Sequence, residues 1–221
     1  MPGERTRARE LAAEFIQRGD PSGWFEELYK EGEAGKSVVP WANRSGNPHL
    51  AEFWKAHPQN TNGKKALVVG CGLGDDAEQL ADWGYQMTAF DISETAIRLA
   101  KKRFPNTRVE FRAANLFAPP AAWERRFDFV FEANTVQALP ASVRSQAILG
   151  IAAFVRPGGK LLVIARGREP QEPEGQLPWP LTRAEMNEFV RAGLIEESFE
   201  TFFDSEEPPS RRYRALYARP L

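Results

Sequence analysis

From Lys65 to Ala165 the chain alternates between short apolar runs and longer stretches whose apolar residues recur every three or four positions. The runs are Ala66–Val69, Gln86–Phe90, Val109–Arg112, Phe127–Glu132 and Lys160–Ala165. Each is short and largely β-branched, aliphatic or aromatic, as buried strands are. Between them, Asp75–Trp83 places Ala77, Leu80 and Ala81 on one helical face. Ser93 caps a helix bearing Ala96, Ile97, Ala100 and Phe104, and Pro140 opens another bearing Val143, Ala147, Ile148, Ile151 and Phe154. Pro157-Gly158-Gly159 predicts a tight turn. Thr182 and Glu185 have the spacing of a capping box, and Gly193 stands where that helix should end. Ile195–Phe203 and Tyr213–Arg219 predict two strands in succession, joined by an acidic loop with Pro208 and Pro209.

Alternating strands and helices predict a parallel sheet covered on both faces. Two final strands without a helix between them predict a hairpin, and so an antiparallel last strand. The expected architecture is α/β: a doubly wound, seven-stranded, mostly parallel sheet. Residues 1–64 do not alternate. They predict helices over Arg5–Arg18 and Ser22–Lys30, then an irregular stretch around Pro40, Gly46 and Pro48. We divide the chain into a helical extension and lid, 1–63, and an α/β domain, 64–221, packed together as one compact unit.

Composition narrows the possible functions. A net charge of −1 provides no basic field for nucleic acid. One cysteine excludes an internal disulfide and fits a reducing, cytoplasmic setting. No apolar run reaches the ~18 residues of a membrane span, and the charged first ten residues are followed by no secretory leader pattern. No metal site is expected. A monomer or weak dimer acting on a small molecule is.

The chemistry concentrates in Ala66–Asp76, A-L-V-V-G-C-G-L-G-D-D. Glycines directly after the first strand let a ligand lie on bare backbone at a helix N-terminus. Asp91 ends the second strand 21 residues beyond Gly70, the separation at which a carboxylate reaches ribose hydroxyls. The spacing fits a ligand that carries adenosine; a glycine turn used only for tight strand–helix packing is the alternative. A nicotinamide cofactor calls for a third glycine two residues beyond Gly74, and its pyrophosphate disfavours Asp75 and Asp76 at the helix start. A phosphate-free cation such as S-adenosylmethionine tolerates both acids.

GCGLGDD, FDIS, ANLF, FDFVFEANTVQALP and VRPGGKLLVIA, taken in order, resemble the successive motifs of class I S-adenosylmethionine-dependent methyltransferases over residues 64–166. The resemblance implies a Rossmann-like fold, methyl transfer and S-adenosylhomocysteine as product. It implies that Gly70, Cys71, Gly72 and Gly74 line the donor, Cys71 as a small packed residue and not a nucleophile. Asp91 would take the ribose hydroxyls, Ile92 would pack on adenine, and Asn115 and Leu116 would lie at the adenine edge. Glu132, Ala133 and Asn134 would flank the methyl group. Many members have an acid where this chain has Val68, so the donor ammonium needs another partner here.

Residues 24–50 resemble the lid of the thiopurine, thiol and halide methyltransferase subfamily, with Trp24, Tyr29 and Trp41 at its aromatic positions. Aromatic faces suit a sulfonium. The resemblance implies a thiol or similar soft nucleophile as acceptor, and a thiolate needs little beyond positioning for in-line displacement. An amine or phenol would call for a base, with His49 and Glu132 as candidates, so an N- or O-methyltransferase is the alternative. Asn134, Gln137, Arg166 and Trp179 are the candidate acceptor contacts, Arg166 for an anionic group. A non-catalytic domain that binds the donor or its demethylated product is the reading outside catalysis. Trp54, Trp83, Trp123 and His57 are read as structural or exposed.

Overall fold

The computed structural model describes residues 5–42 and 45–221. Seven strands form one sheet: β1 Lys65–Val69, β2 Gln86–Asp91, β3 Glu110–Ala113, β4 Phe127–Ala133, β5 Val155–Arg166, β6 Ile195–Phe203 and β7 Arg211–Ala218. Their order is β3-β2-β1-β4-β5-β7-β6. β1 to β5 run parallel, while β7 is antiparallel to both its neighbours, β5 and β6. The expected antiparallel strand is therefore β7. It slots inside the sheet, and β6 forms the edge.

Strand alternation builds two cores. Leu67 and Val69 of β1 point to one face, Ala66 and Val68 to the other. The first face packs on Ala147, Ile148 and Ile151 of α6 (Ala141–Phe154) and Phe189 of α8 (Glu188–Arg191). The second packs on Leu80 of α4 (Asp75–Asp82), Ile97 of α5 (Glu94–Arg103) and Phe53 of α3 (Pro48–Ala56). Fully burying a large aliphatic or aromatic side chain contributes about 1.5–3 kcal/mol, so both faces contribute. Ser93 caps α5 by accepting from the Ala96 N–H, and the Thr182–Glu185 capping box opens α7 (Arg183–Met186).

Two local expectations change. The stretch around Pro48 is not irregular: Asn47 accepts from the His49 N–H, Pro48 occupies the first helical turn, and Leu50 and Phe53 bury one face of α3. Asn as N-cap and Pro at the first helical position form a standard start signal. The Pro157–Gly159 turn is absorbed into β5. Val155 pairs with Phe127 and Lys160 with Phe129, so the residues between bulge from the strand, with Gly158 at φ +70°.

Before β1 come α1 (Thr6–Gln17) and α2 (Trp24–Glu33). Leu11, Trp24 and Leu28 form a third apolar cluster with Ala138 and Leu177. Glu26 of α2 accepts from Ser93 Oγ at 2.6 Å, Thr95 Oγ1 at 2.8 Å and the Thr95 N–H at 3.1 Å. α2 is thereby fixed to the start of α5, beside the carboxyl ends of the strands. Asn43 and Arg44, within the lid segment, lie outside the described residues, as do residues 1–4.

Candidate functional site

A cavity of about 440 Å³ opens at the carboxyl edge of the sheet, beneath α2 and the segment leading to α3. That volume lies within the usual range for a small-molecule site. The turn after β1 forms its floor. Gly70, Gly72 and Gly74 all have positive φ. The reasons for glycine differ. A Cβ on Gly72 would lie 2.8 Å from the Tyr29 hydroxyl, inside the cavity wall. A Cβ on Gly70 would run into Thr135 Oγ1. A Cβ on Gly74 would lie 2.6 Å from Phe111 Cζ, in the core. Gly74 does not line the cavity; it permits close packing where α4 begins. The first two glycines are at the site and the third is under it.

Asp91 sits at the end of β2, 6% exposed. One carboxylate oxygen accepts the Gly72 N–H at 2.9 Å and the other the Ser93 N–H at 2.9 Å. Burial pushes its pKa up, and these two N–H groups oppose the rise. Each oxygen retains acceptor capacity, since a carboxylate has about four lone-pair sites. Ile92, Asn115 and Leu116 line the same side of the cavity. The acids after the glycines are already engaged. Asp75 forms a bidentate pair with Arg103 at 2.7 Å, and Asp76 accepts the Asn47 N–H at 2.6 Å. Burial raises the Asp76 carboxyl to about 6.

The roof is aromatic. Trp24 is fully buried, stacks on Phe25 with centroids 3.8 Å apart and meets Trp41 edge-on at 6.0 Å. Trp41 donates its indole N–H to Tyr29 Oη at 2.8 Å. All four line the cavity. Phe25 was not anticipated from sequence, although it neighbours Trp24 and shares its stack.

The end of β4 divides the remaining candidates. Ala133, Asn134 and Gln137 line the cavity, and so does Arg166 at the end of β5. Asn134 has φ +67°, a conformation its short polar side chain tolerates. Glu132 points the other way: it is 0% exposed and does not line the cavity. Its Oε1 accepts the N–H groups of Thr135 and Val136 at 2.6 and 3.1 Å. Burial raises its carboxyl to about 7, with those two N–H groups opposing. Its position is that of a cap on the turn after β4 and not of a base at the acceptor. Trp179 also lies behind the wall, its N–H bonded to the Gln137 carbonyl at 2.8 Å and its ring 5.7 Å from the Arg144 guanidinium. His49 does reach the cavity, with Nδ1 3.3 Å from Glu52 Oε2 and its ring against Phe202. Cys71 lines the floor, and burial pushes its thiol well above the ordinary value, as for an inert packed cysteine.

Sequence reading missed the acidic loop after β6. Asp204 and Glu206 reach the cavity together with Arg212 of β7. The only signal was the charge density of the stretch, which reads equally well as a solvated turn.

A glycine-floored cleft at the switch point of a doubly wound sheet, with a buried acid after β2 and an aromatic roof, fits a cationic ligand that carries adenosine. The fold and this cleft define a Rossmann-like domain with a site for such a ligand. A family model described as a methyltransferase domain matches residues 66–159. The chain is 28% identical over 163 residues to "Probable thiol methyltransferase 2" of Arabidopsis thaliana, covering 71% of this chain and 67% of that protein. It is 23% identical over 175 residues to "Thiopurine S-methyltransferase" of Vibrio atlanticus, covering 73% and 80%. Among solved structures, Burkholderia thailandensis 1,6-didemethyltoxoflavin-N1-methyltransferase, with bound 1,6-didemethyltoxoflavin and S-adenosylhomocysteine, superposes with a TM-score of 0.69 at 16% identity, covering 96% of this chain and 91% of that one. Together these findings support S-adenosylmethionine-dependent methyl transfer, and the chain resembles the class I methyltransferases, the thiol and thiopurine methyltransferases among them. S-adenosylmethionine is its cofactor. No described helix is long and apolar enough to cross a membrane.

Proposed function

We propose that the chain methylates a thiol or similar soft nucleophile by in-line displacement. The observation that carries this reading is the aromatic roof of Trp24, Phe25, Tyr29 and Trp41 closed over Gly72. Aromatic faces attract a sulfonium, and a closed roof excludes water while fixing the angle of attack. Bound S-adenosylmethionine supplies an electrophilic methyl group on a good leaving group. Asp91 would hold the ribose hydroxyls, Gly70, Cys71 and Gly72 would pass under the donor, and Ile92, Asn115 and Leu116 would flank the adenine. Ala133 and Asn134 would border the methyl group, with Gln137 and Arg166 on the acceptor side. Val68 is buried in the core behind β1, so the donor ammonium would rely on carbonyls of the Gly70 turn. Glu132 would act indirectly, holding the turn that presents Asn134 and Gln137.

The His49–Glu52 pair at the cavity supports a second reading, N- or O-methylation with His49 as base. A panel of matched thiols, phenols and amines, followed by mass spectrometry of the demethylated donor and methylated products, separates the two. Turnover on thiols supports the first reading. Turnover restricted to phenols or amines, and lost in His49→Gln, supports the second.

A further inference from the structure

The acceptor end of the cavity holds an unusual knot of charge. Arg166 donates to Glu206. Arg212 donates to Asp204 at 2.6 Å and to Glu206 at 3.0 Å. Arg5 lies 4.0 Å from Glu206. All five residues line the cavity. Three guanidinium groups thus share two carboxylates, and the knot carries one positive charge in excess. The members are not equivalent. The Arg166, Arg212 and Asp204 side chains are only 16%, 11% and 5% exposed, whereas that of Glu206 is 42% exposed. Arg166, Arg212 and Asp204 are built into the wall, whereas Arg5 is more exposed. Arg166 and Arg212 stand opposite one another on paired strands β5 and β7. Asp204 is further held by the N–H groups of Glu206 and Ser210. Glu206 belongs to the loop between β6 and β7 and reaches into the cluster from the solvent side.

We propose that Glu206 is a built-in stand-in for the substrate, and that the acceptor carries a carboxylate which replaces it on Arg166 and Arg212. This rests on the proposed acceptor side of the cavity and adds a class to it: a small nucleophile bearing a planar oxyanion. Arginine forks suit such a group because two N–H bonds fix its orientation. Leaving these largely buried arginines short of an anion would be costly, so the free enzyme keeps one in place. Displacement moves Glu206 to solvent, where a carboxylate is well hydrated, and the acceptor's carboxylate takes over the charge that Glu206 had balanced, so the cluster keeps its single positive excess. The exchange also links acceptor entry to movement of the Glu206 side chain away from the cluster. Burial, with Arg5 and Arg212 close by, holds the Arg166 pKa below its ordinary value. Arg166 nevertheless remains charged at neutral pH.

The test does not depend on which atom is methylated. Benzoate and benzamide are titrated by calorimetry into the protein loaded with S-adenosylhomocysteine, in wild type, Arg166→Gln and Glu206→Gln. Wild type should bind benzoate and not benzamide. Arg166→Gln should weaken benzoate by about tenfold or more, the loss of charge-assisted bonds. Glu206→Gln should tighten it several-fold, because the internal competitor is weakened. A Glu206 with only a structural role would give the opposite sign or no change. Failure of wild type to bind benzoate, equal binding of the amide, or unchanged or weaker benzoate binding in Glu206→Gln with unchanged melting overturns the proposal. Matched acceptor pairs then separate it from the thiol reading: a carboxylate preference within the phenol or amine series upholds the anion site while discarding the thiol.

Discussion

Asp91→Asn probes the floor of the donor site with almost no change of shape. In the native protein both carboxylate oxygens accept a backbone N–H, from Gly72 and Ser93, each at 2.9 Å. The amide keeps one acceptor and turns an NH2 group toward the other N–H. One buried donor is stranded, at a cost of about 1–3 kcal/mol in stability. Ligand binding should suffer separately. Each hydrogen bond from a ribose hydroxyl to the charged carboxylate contributes about 1.5–3 kcal/mol. Losing the equivalent of one raises Kd about 10- to 150-fold. Calorimetric titration of S-adenosylhomocysteine gives the affinity, and urea denaturation gives the stability cost. An analogue lacking the ribose hydroxyls completes a double-mutant cycle: it should bind wild type and Asp91→Asn with nearly the same affinity. An unchanged Kd for the natural ligand in a folded Asp91→Asn protein would refute the ribose assignment, as would an equal loss for the analogue.

The glycines of the turn should separate by phenotype. Gly74→Ala combines a left-handed φ of +91° with a Cβ 2.6 Å from Phe111; it should lower stability by about 2 kcal/mol or more while the folded fraction keeps its donor affinity, read by thermal melting and calorimetry. Gly72→Ala puts a methyl against Tyr29 and should chiefly weaken donor binding in the same assays. Glu132 has a pKa of about 7 in the fold against 4.5 for the ordinary carboxyl. The folded state therefore holds more protons than the unfolded one, and stability falls as pH rises from about 4.5 to 7, by roughly 3 kcal/mol at the plateau. Asp76 adds a fall of the same sign ending near pH 6, so Glu132→Gln should flatten only the upper part of a urea-midpoint profile measured between pH 5 and 8. Tyr29→Phe removes the acceptor of the Trp41 indole N–H; loss of about 1 kcal/mol of roof stability should appear as lower kcat with little change in donor Kd, and unchanged kcat would count against a working roof.

The sheet was legible because each strand is a short apolar run and each crossover helix carries an apolar face, so periodicity alone separates them. Asp91 and the first two cavity glycines were legible because spacing along one strand–turn–helix unit fixes where they meet. Gly74 misled, since a glycine facing Phe111 and a glycine facing a ligand look alike in sequence. Glu132 misled for a related reason. The end of a strand predicts the edge on which a residue lies, and one step of strand alternation decides whether it faces cavity or core. α3 was written locally, in Asn47, Pro48, Leu50 and Phe53, and passed over because prolines dominate its surroundings. The knot of Arg5, Arg166, Asp204, Glu206 and Arg212 joins both ends of the chain to its middle, and no local pattern encodes such a meeting.

The placement of β7 bears on how the molecule is made. The ribosome delivers β6 before β7, yet β6 reaches the sheet only through β7. Until residues 211–218 emerge, β5 has one bare side and β6 has no strand partner in the sheet. Between the emergence of β6 and that of β7 the nascent chain thus carries unmatched strand edges, and such edges invite aggregation. The segment that ends this exposure also delivers Arg212 to the cavity, so the sheet and the acceptor wall are completed in the same event.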